Sequence, residues 1–154
     1  YDPTEASGDL GESGLLDYDE DLGSATGDGL ATGSTAGMSN DYEGSCGSSG
    51  GADTAFLWEA PSTGSYDFNT TGSSFDTVLR LFAAEGGAST GSGIECGSGS
   101  SSGGATELTC NDDSGGTTAS AFTYSVTAGT LYIVVVDGYS SYSSGSYTLA
   151  ISER

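Results

Sequence analysis

The stretch Leu131-Tyr-Ile-Val-Val-Val136 decides the fold class. A strand built from it is apolar on both faces, which is typical of a strand in the middle of a covered sheet. Turn residues stand on either side, with Ala128-Gly129 before the run and Asp137-Gly138 after it. The stretch therefore predicts a central β-strand.

Outward from this run, apolar residues alternate with polar ones in Tyr66/Phe68, Phe122/Tyr124/Val126 and Tyr147/Leu149/Ile151. No window shows a helical apolar stripe with caps. One or two further strands are expected within Gly29–Tyr42. The sequence predicts an all-β fold, an antiparallel β-sandwich or jelly roll of about 7–9 strands. The main strand candidates are Thr54–Ala60, Ser65–Thr70, Thr77–Ala83, Ala105–Cys110, Ser120–Thr127, Leu131–Asp137 and Ser146–Ser152.

The N-terminal residues 1–22 differ from the rest, since they hold eight of the 22 acidic residues and few large aliphatic ones. This composition predicts an acidic extension ahead of a sandwich domain spanning 23–154. Such a tail does not order by itself, so we expect a metal, the domain surface or a neighbouring subunit to hold it. The start at Tyr1, without a basic and apolar leader, predicts a mature chain.

The charge balance excludes several functions. Among 154 residues there are 2 lysines and arginines, 22 aspartates and glutamates and no histidine, giving a net charge of −20. Histidine-based nucleophile systems and metal cages are impossible, as is a Schiff-base lysine, because the chain has no lysine either. Nucleic-acid binding is excluded by the lack of a basic patch, and a membrane span by the lack of a long apolar run. Carboxylate-pair hydrolysis is the remaining catalytic option, but no pair is marked as buried, so we expect no enzyme.

Three cysteines in an acidic, Gly/Ser/Thr-rich chain predict an extracellular location, secreted or at the cell surface. Cys96 and Cys110 lie close in sequence, and a disulfide between them would close a loop of about 15 residues, worth about 3 kcal/mol. Cys46 would then be a free thiol or a cross-link between chains.

Four blocks resemble a known family: Gly72-Ser-Ser-Phe-Asp-Thr-Val-Leu79, Cys110-Asn-Asp-Asp-Ser-Gly115, Val135-Val-Asp-Gly-Tyr139 and Gly145-Ser-Tyr-Thr-Leu149. In order and spacing, over roughly Gly23–Ser152, they look like the bacterial pre-peptidase C-terminal (PPC) domains. The resemblance implies a calcium-binding β-sandwich carried on secreted proteins, often beside a peptidase. It implies an accessory role and no catalysis.

Loop carboxylates suggest where calcium would bind. Asn111, Asp112 and Asp113 follow one predicted strand, and Asp76 and Asp137 lie near the ends of others. Calcium takes about six to eight oxygen ligands at flexible geometry, which such residues supply. The alternative is turn chemistry, in which the side chains cap backbone amides, with Asp76 as a buried hydrogen-bond acceptor.

A second carboxylate group consists of Asp17, Asp19, Asp21 and Asp28. It matches positions 1, 3, 5 and 12 of an EF-hand loop, but Leu22 replaces the required glycine and no helices flank it. An irregular calcium site or a solvated acidic run remain as the two interpretations.

Two surface features complete the candidates. Tyr139, Tyr142 and Tyr147 form an aromatic, hydroxyl-rich stretch that contacts a ligand or packs within a hairpin. Asn69 begins a glycosylation sequon, Asn69-Thr-Thr71, or marks an exposed strand end.

Two functions fit these features. The first is a non-catalytic, calcium-stabilised subunit of an extracellular filament or surface assembly, whose partners are copies of itself. The absence of lysine, a common guard of strand edges, favours it. The second is a monomeric module that binds polysaccharide or a collagen-like protein beside a secreted hydrolase.

Overall fold

A computed structural model describes residues 18–38, 46, 51–83, 106–113 and 117–154. These residues form nine β-strands and no helix, which confirms the predicted all-β sandwich. Consequently, the described chain contains no apolar helix of membrane-spanning length. The strands are β1 (Glu20–Gly23), β2 (Gly27–Ser34), β3 (Asp53–Glu59), β4 (Gly64–Asn69), β5 (Thr77–Ala83), β6 (Thr106–Asn111), β7 (Ala121–Val126), β8 (Leu131–Gly138) and β9 (Ser146–Glu153).

The strands form two sheets with the orders β1-β3-β8-β5-β6 and β2-β9-β4-β7. From β1 to β9 the chain crosses to the other sheet at every connection except the one from β5 to β6, as in a jelly roll. All neighbouring strands are antiparallel except β1 and β3, which run parallel. The stretch Leu131–Val136 lies in β8, the central strand of the larger sheet, as predicted.

The main core lies between the two sheets. Trp58 is at its centre and makes edge contacts with Tyr66 and Phe68, with ring centroids 5.4 and 5.5 Å apart. Each large side chain buried here contributes about 1.5–3 kcal/mol. The larger sheet supplies Phe56, Trp58, Leu79, Leu81, Val134 and Val136, and the smaller sheet supplies Tyr66, Phe68, Leu149 and Ile151.

The outer face of the larger sheet is buried as well. Ala55, Phe82, Ile133 and Val135 form a second apolar cluster there, against which Tyr18 packs. Because β8 is covered on both sides, its sequence lacks the polar alternation of a strand with one wet face.

The predicted boundary after residue 22 falls inside β1. Glu20 pairs with Phe56 of β3, and the Asp19 amide donates to the Ala55 carbonyl at 2.7 Å. The Trp58 indole then donates to the Ala25 carbonyl at 2.8 Å. The end of the predicted extension, from Tyr18 onward, is therefore part of the sandwich, and residues 1–17 lie outside the described residues.

Candidate metal site

Three aspartates converge at one end of the larger sheet. Asp76 immediately precedes β5, and Asp112 and Asp113 immediately follow β6. Because β5 and β6 are antiparallel neighbours, with Leu79 opposite Asn111, the start of one strand lies beside the end of the other. One carboxylate oxygen from each aspartate lies within 4.8 Å of the other two.

Two of these carboxylates contain a buried oxygen without a partner. Asp76 Oδ1 and Asp112 Oδ1 are inaccessible to solvent and accept no hydrogen bond within the described structure. Burial, followed by the charge of Asp113, raises the pKa of Asp76. The same two causes raise the pKa of Asp112, and Asp76 adds to them, while Arg80 opposes the shift. The site thus disfavours ionised carboxylates unless a cation joins them.

Buried hydroxyl groups hold the carboxylate-bearing segments together. Thr77 Oγ1 lies 2.7 Å from Thr70 Oγ1 and 3.1 Å from Ser120 Oγ. The Ser120 hydroxyl also lies 2.6 Å from the Asp112 carbonyl, and the Tyr139 amide donates to the Asp76 carbonyl at 3.0 Å. The sequence did not indicate this cluster of three hydroxyl side chains, because serine and threonine are too common in this chain to stand out.

The three aspartates fit a hard divalent cation. Their donors are all oxygen, which calcium prefers, and calcium accepts irregular geometry with carbonyl or water oxygens as further ligands. Asp113 is exposed, so the site is open to solvent on one side.

Two other predicted ligands are already engaged. Asn111 Oδ1 accepts a hydrogen bond from the Ala121 amide at 3.0 Å. Asp137 Oδ2 pairs with Arg80 Nε at 3.0 Å, and its Oδ1 accepts from the Gly138 amide. Arg80 also pairs with Glu107 at 3.4 Å. We therefore do not retain Asp137 as a calcium ligand, because Arg80, which sequence reasoning had overlooked, neutralises it.

The second carboxylate group does not assemble among the described residues. Asp19 Oδ2 accepts from the Ala55 amide at 2.8 Å, and Asp21 Oδ1 accepts from the Gly23 amide at 2.8 Å. Asp28 is exposed on β2, and Asp17 lies outside the described residues. The one converging set of three carboxylates in the described chain is that of Asp76, Asp112 and Asp113. Asp19 instead joins the residues before β1 to β3, and Asp21 stabilises the turn at Gly23.

The predicted disulfide is wrong. Cys110 bonds to Cys46, 64 residues away, with their Cα atoms 6.1 Å apart. Cys46 is therefore neither a free thiol nor a cross-link between chains, and Cys96 lies outside the described residues. The fold brings Cys46 to β6, where its carbonyl accepts from Arg80 Nη2 at 3.1 Å. The spacing of the three cysteines in the sequence does not indicate the pairing of Cys46 with Cys110.

The three tyrosines have different surroundings. Tyr142 is 94% exposed and Tyr139 is 37% exposed, so both remain candidates for ligand contact. Tyr147 is only 7% exposed and packs edge-on against Phe56 between the sheets. Its prediction as a contact residue is wrong, because its position on β9 points it into the core.

Asn69 ends β4, and its Oδ1 accepts a hydrogen bond from the Thr71 amide. Its glycosylation stays a prediction.

Comparison with a solved PPC domain supports the fold. The chain is similar to the pre-peptidase C-terminal domain of a collagenase from Bacillus anthracis, with a TM-score of 0.50 and 13% identity, covering 88% of this chain and 97% of that one. It also aligns with PliG of Aeromonas hydrophila, a periplasmic inhibitor of g-type lysozyme, with a TM-score of 0.45 and 13% identity, covering 90% and 100%. No family model and no curated protein matches the chain. The predicted resemblance to PPC domains is confirmed at the level of the fold.

Proposed function

We propose that this chain is a non-catalytic, extracellular β-sandwich that calcium stabilises and that serves as a structural subunit of a filament or surface assembly. The observation that carries the calcium site is the pair of buried, unpartnered oxygens, Asp76 Oδ1 and Asp112 Oδ1, beside the carboxylate of Asp113. An unsatisfied buried polar group costs about 1–3 kcal/mol. A cation at this point offsets that cost and the repulsion among the three charges.

Binding at this site is coupled to folding. The three carboxylates come from two chain segments that meet only in the folded sheet, so calcium binds the native state in preference to the unfolded chain. With three carboxylates and one side open to solvent, we expect the weak affinity of extracellular modules, a Kd of about 10⁻⁴–10⁻³ M.

The disulfide supports the proposed extracellular location. The disulfide between Cys46 and Cys110 is typical of proteins in oxidising compartments, which include the extracellular space and the periplasm. The non-catalytic role is supported by composition, since the chain has no histidine or lysine.

The net charge should make this assembly depend on calcium. A subunit of charge −20 repels its copies over a Debye length of about 8 Å at physiological salt. Divalent cations reduce this repulsion, so calcium would favour both the fold and the contact between subunits.

Isothermal titration with calcium tests the site. We expect the wild type to bind, Asp112→Asn to lose at least about tenfold in affinity, and the control Asp28→Asn to bind like the wild type. Asp28 is an exposed carboxylate outside the site, so the control removes the same charge. Equal binding by all three proteins would show that the titrated calcium binds elsewhere.

Electron microscopy tests the assembly. Polymers are expected with calcium and should disperse when a chelator is added at low ionic strength. Polymers that persist in the chelator would contradict a calcium-dependent assembly.

The exposed tyrosines favour a second candidate function, a module that binds polysaccharide or a collagen-like protein. Tyr142 projects into solvent, and the Tyr139 amide bonds to Asp76 beside the metal site, so both flank the same end of the sandwich. Aromatic rings present flat apolar faces on which a sugar or peptide can pack. Binding to immobilised polysaccharide or collagen that Tyr142→Ala abolishes, in a chain that stays monomeric with calcium, would favour this function over assembly.

A further inference from the structure

The two sheets of the described chain end in four edge strands: β1 and β6 in one, β2 and β7 in the other. Exposed edges invite pairing with another chain, and proteins protect them with charges, bulges, short strands or covalent ties. β1 has only four residues, of which Glu20 and Asp21 are acidic. β6 carries Glu107, its register with β5 shifts, and Cys110 ties it to Cys46.

The smaller sheet differs between its two edges. β2 contains three glycines and Asp28, and its register with β9 shifts between Gly27 and Ala31. β7 reads Ala-Phe-Thr-Tyr-Ser-Val, without a charge, glycine or proline, and all six residues pair with β4 in unbroken register. Thr123 and Ser125 are exposed. Among the edge strands of the described residues, β7 is thus the one with no charge, glycine, proline or register shift of its own.

The free side of β7 presents backbone groups in a defined order. The Ala121 amide donates to Asn111 Oδ1 and therefore points away from β4. Backbone groups alternate in direction along an antiparallel strand, so those of Thr123 and Ser125 point the same way. These two residues present the N–H and C=O groups that an added strand would pair with.

Charge at this edge is locally balanced. Arg154 Nη1 lies 3.3 Å from Asp67 Oδ1 on the adjacent strand and 3.0 Å from Thr123 Oγ1. Arg154 is one of only two basic residues in a chain of charge −20. Two copies that meet at β7 therefore avoid the like-charge opposition that other acidic surfaces would impose.

We propose that β7 pairs with β7 of a second copy, antiparallel and across a twofold axis. Thr123 then lies opposite Ser125 of the partner copy, and Tyr124 lies opposite its own counterpart. In this register the outward N–H and C=O groups of Thr123 and Ser125 pair with those of the partner copy. The hydrogen bond from the Ala121 amide to Asn111 Oδ1 is kept. It joins two four-stranded sheets into one of eight strands and is a closed, self-complementary contact. The inference rests on the assembly role proposed above and identifies the contact between a pair of subunits.

Sedimentation of the full 154-residue chain in calcium tests this contact. The wild type is expected to form a dimer as its concentration rises. Ser125→Pro removes an outward N–H, which an edge strand tolerates, and Ser125→Lys adds an edge guard; both should weaken the dimer by at least about tenfold. Thr32→Lys is the matched control, because it adds the same charge at the β2 edge of the same sheet, and it should dimerise like the wild type. Emission of Trp58, the single tryptophan, checks that each variant is folded.

Three results would overturn the inference: a wild type that stays monomeric up to about 1 mM, Ser125 variants that dimerise like the wild type, or a Thr32→Lys variant that is weakened equally. Polymers seen by electron microscopy together with Ser125 variants that assemble normally would leave the assembly role standing and remove only this contact. A chain that is monomeric and forms no polymers removes both.

Discussion

Asp112 is the residue at which the calcium site can be tested most directly, because its charge is opposed by burial and by two neighbouring aspartates. With calcium chelated, the raised pKa means that the folded chain binds more protons than the unfolded chain above the ordinary value of 3.8. Stability should therefore fall as the pH rises through the raised pKa of the folded state. In Asp112→Asn this fall should be shallower, so that in chelator the variant should be more stable than the wild type at pH 7.

Urea unfolding in chelator between pH 4 and 7 measures this effect, and Asp28→Asn serves as the control for a lost surface charge. If Asp112→Asn kept the slope of the wild type, the electrostatic description of the site would be incorrect.

Arg80 gives the second prediction at the residue scale. It is 1% exposed and pairs with Asp137 and Glu107, whose side chains are 3% and 7% exposed. Arg80→Met should destabilise the fold by about 3–5 kcal/mol, because it removes the buried guanidinium that both carboxylates contact. Arg154→Met removes the exposed pair with Asp67 and should cost at most about 1 kcal/mol. If Arg80→Met and Arg154→Met lowered the free energy of unfolding in urea by the same amount, the assigned difference in burial between the two ion pairs would be contradicted.

At the scale of elements, the disulfide joins Cys46 to Cys110 of β6. A bond that closes a loop of 64 residues stabilises the fold by about 4 kcal/mol in the chain-entropy model. Cys46→Ser should lower the unfolding free energy by an amount of that order, whereas Cys96→Ser should leave it nearly unchanged. Peptide mapping without reduction gives an independent check: a peptide that joins Cys96 to Cys110 in the wild type would refute the pairing.

The strands were predictable from sequence where apolar periodicity was strong. Leu131–Val136 and the alternation of Tyr66 with Phe68 depend on local pattern, and both became strands as expected. β1 was missed because a four-residue acidic strand has no such pattern and is held by its partner β3.

The candidate site was only partly predictable for a related reason. The sequence suggested Asp76, Asp112 and Asp113 because they stand at strand ends. It did not reveal that Arg80 engages Asp137 or that Cys46 reaches Cys110, since both contacts join residues far apart in the chain.

At the scale of the whole molecule, the net charge of −20 opposes the compact state through repulsion. In chelator, raising sodium chloride from about 0.01 to 0.15 M shortens the Debye length from about 30 to 8 Å, so the melting temperature should rise. With calcium bound, the same change of salt should have a smaller effect, because part of the repulsion is already offset. Thermal unfolding followed by circular dichroism measures both. An equal salt effect in the two conditions would mean that bound calcium does not relieve the repulsion.

The most direct test of the calcium-stabilised sandwich is the melting temperature of the wild type at pH 7, measured by calorimetry in millimolar calcium and in chelator. With the expected Kd of about 10⁻⁴–10⁻³ M, about 1 mM calcium should stabilise the fold by about 0.4–1.4 kcal/mol. We expect a higher melting temperature in calcium, and no such increase in Asp112→Asn. Identical melting temperatures for the wild type in calcium and in chelator would contradict the central claim.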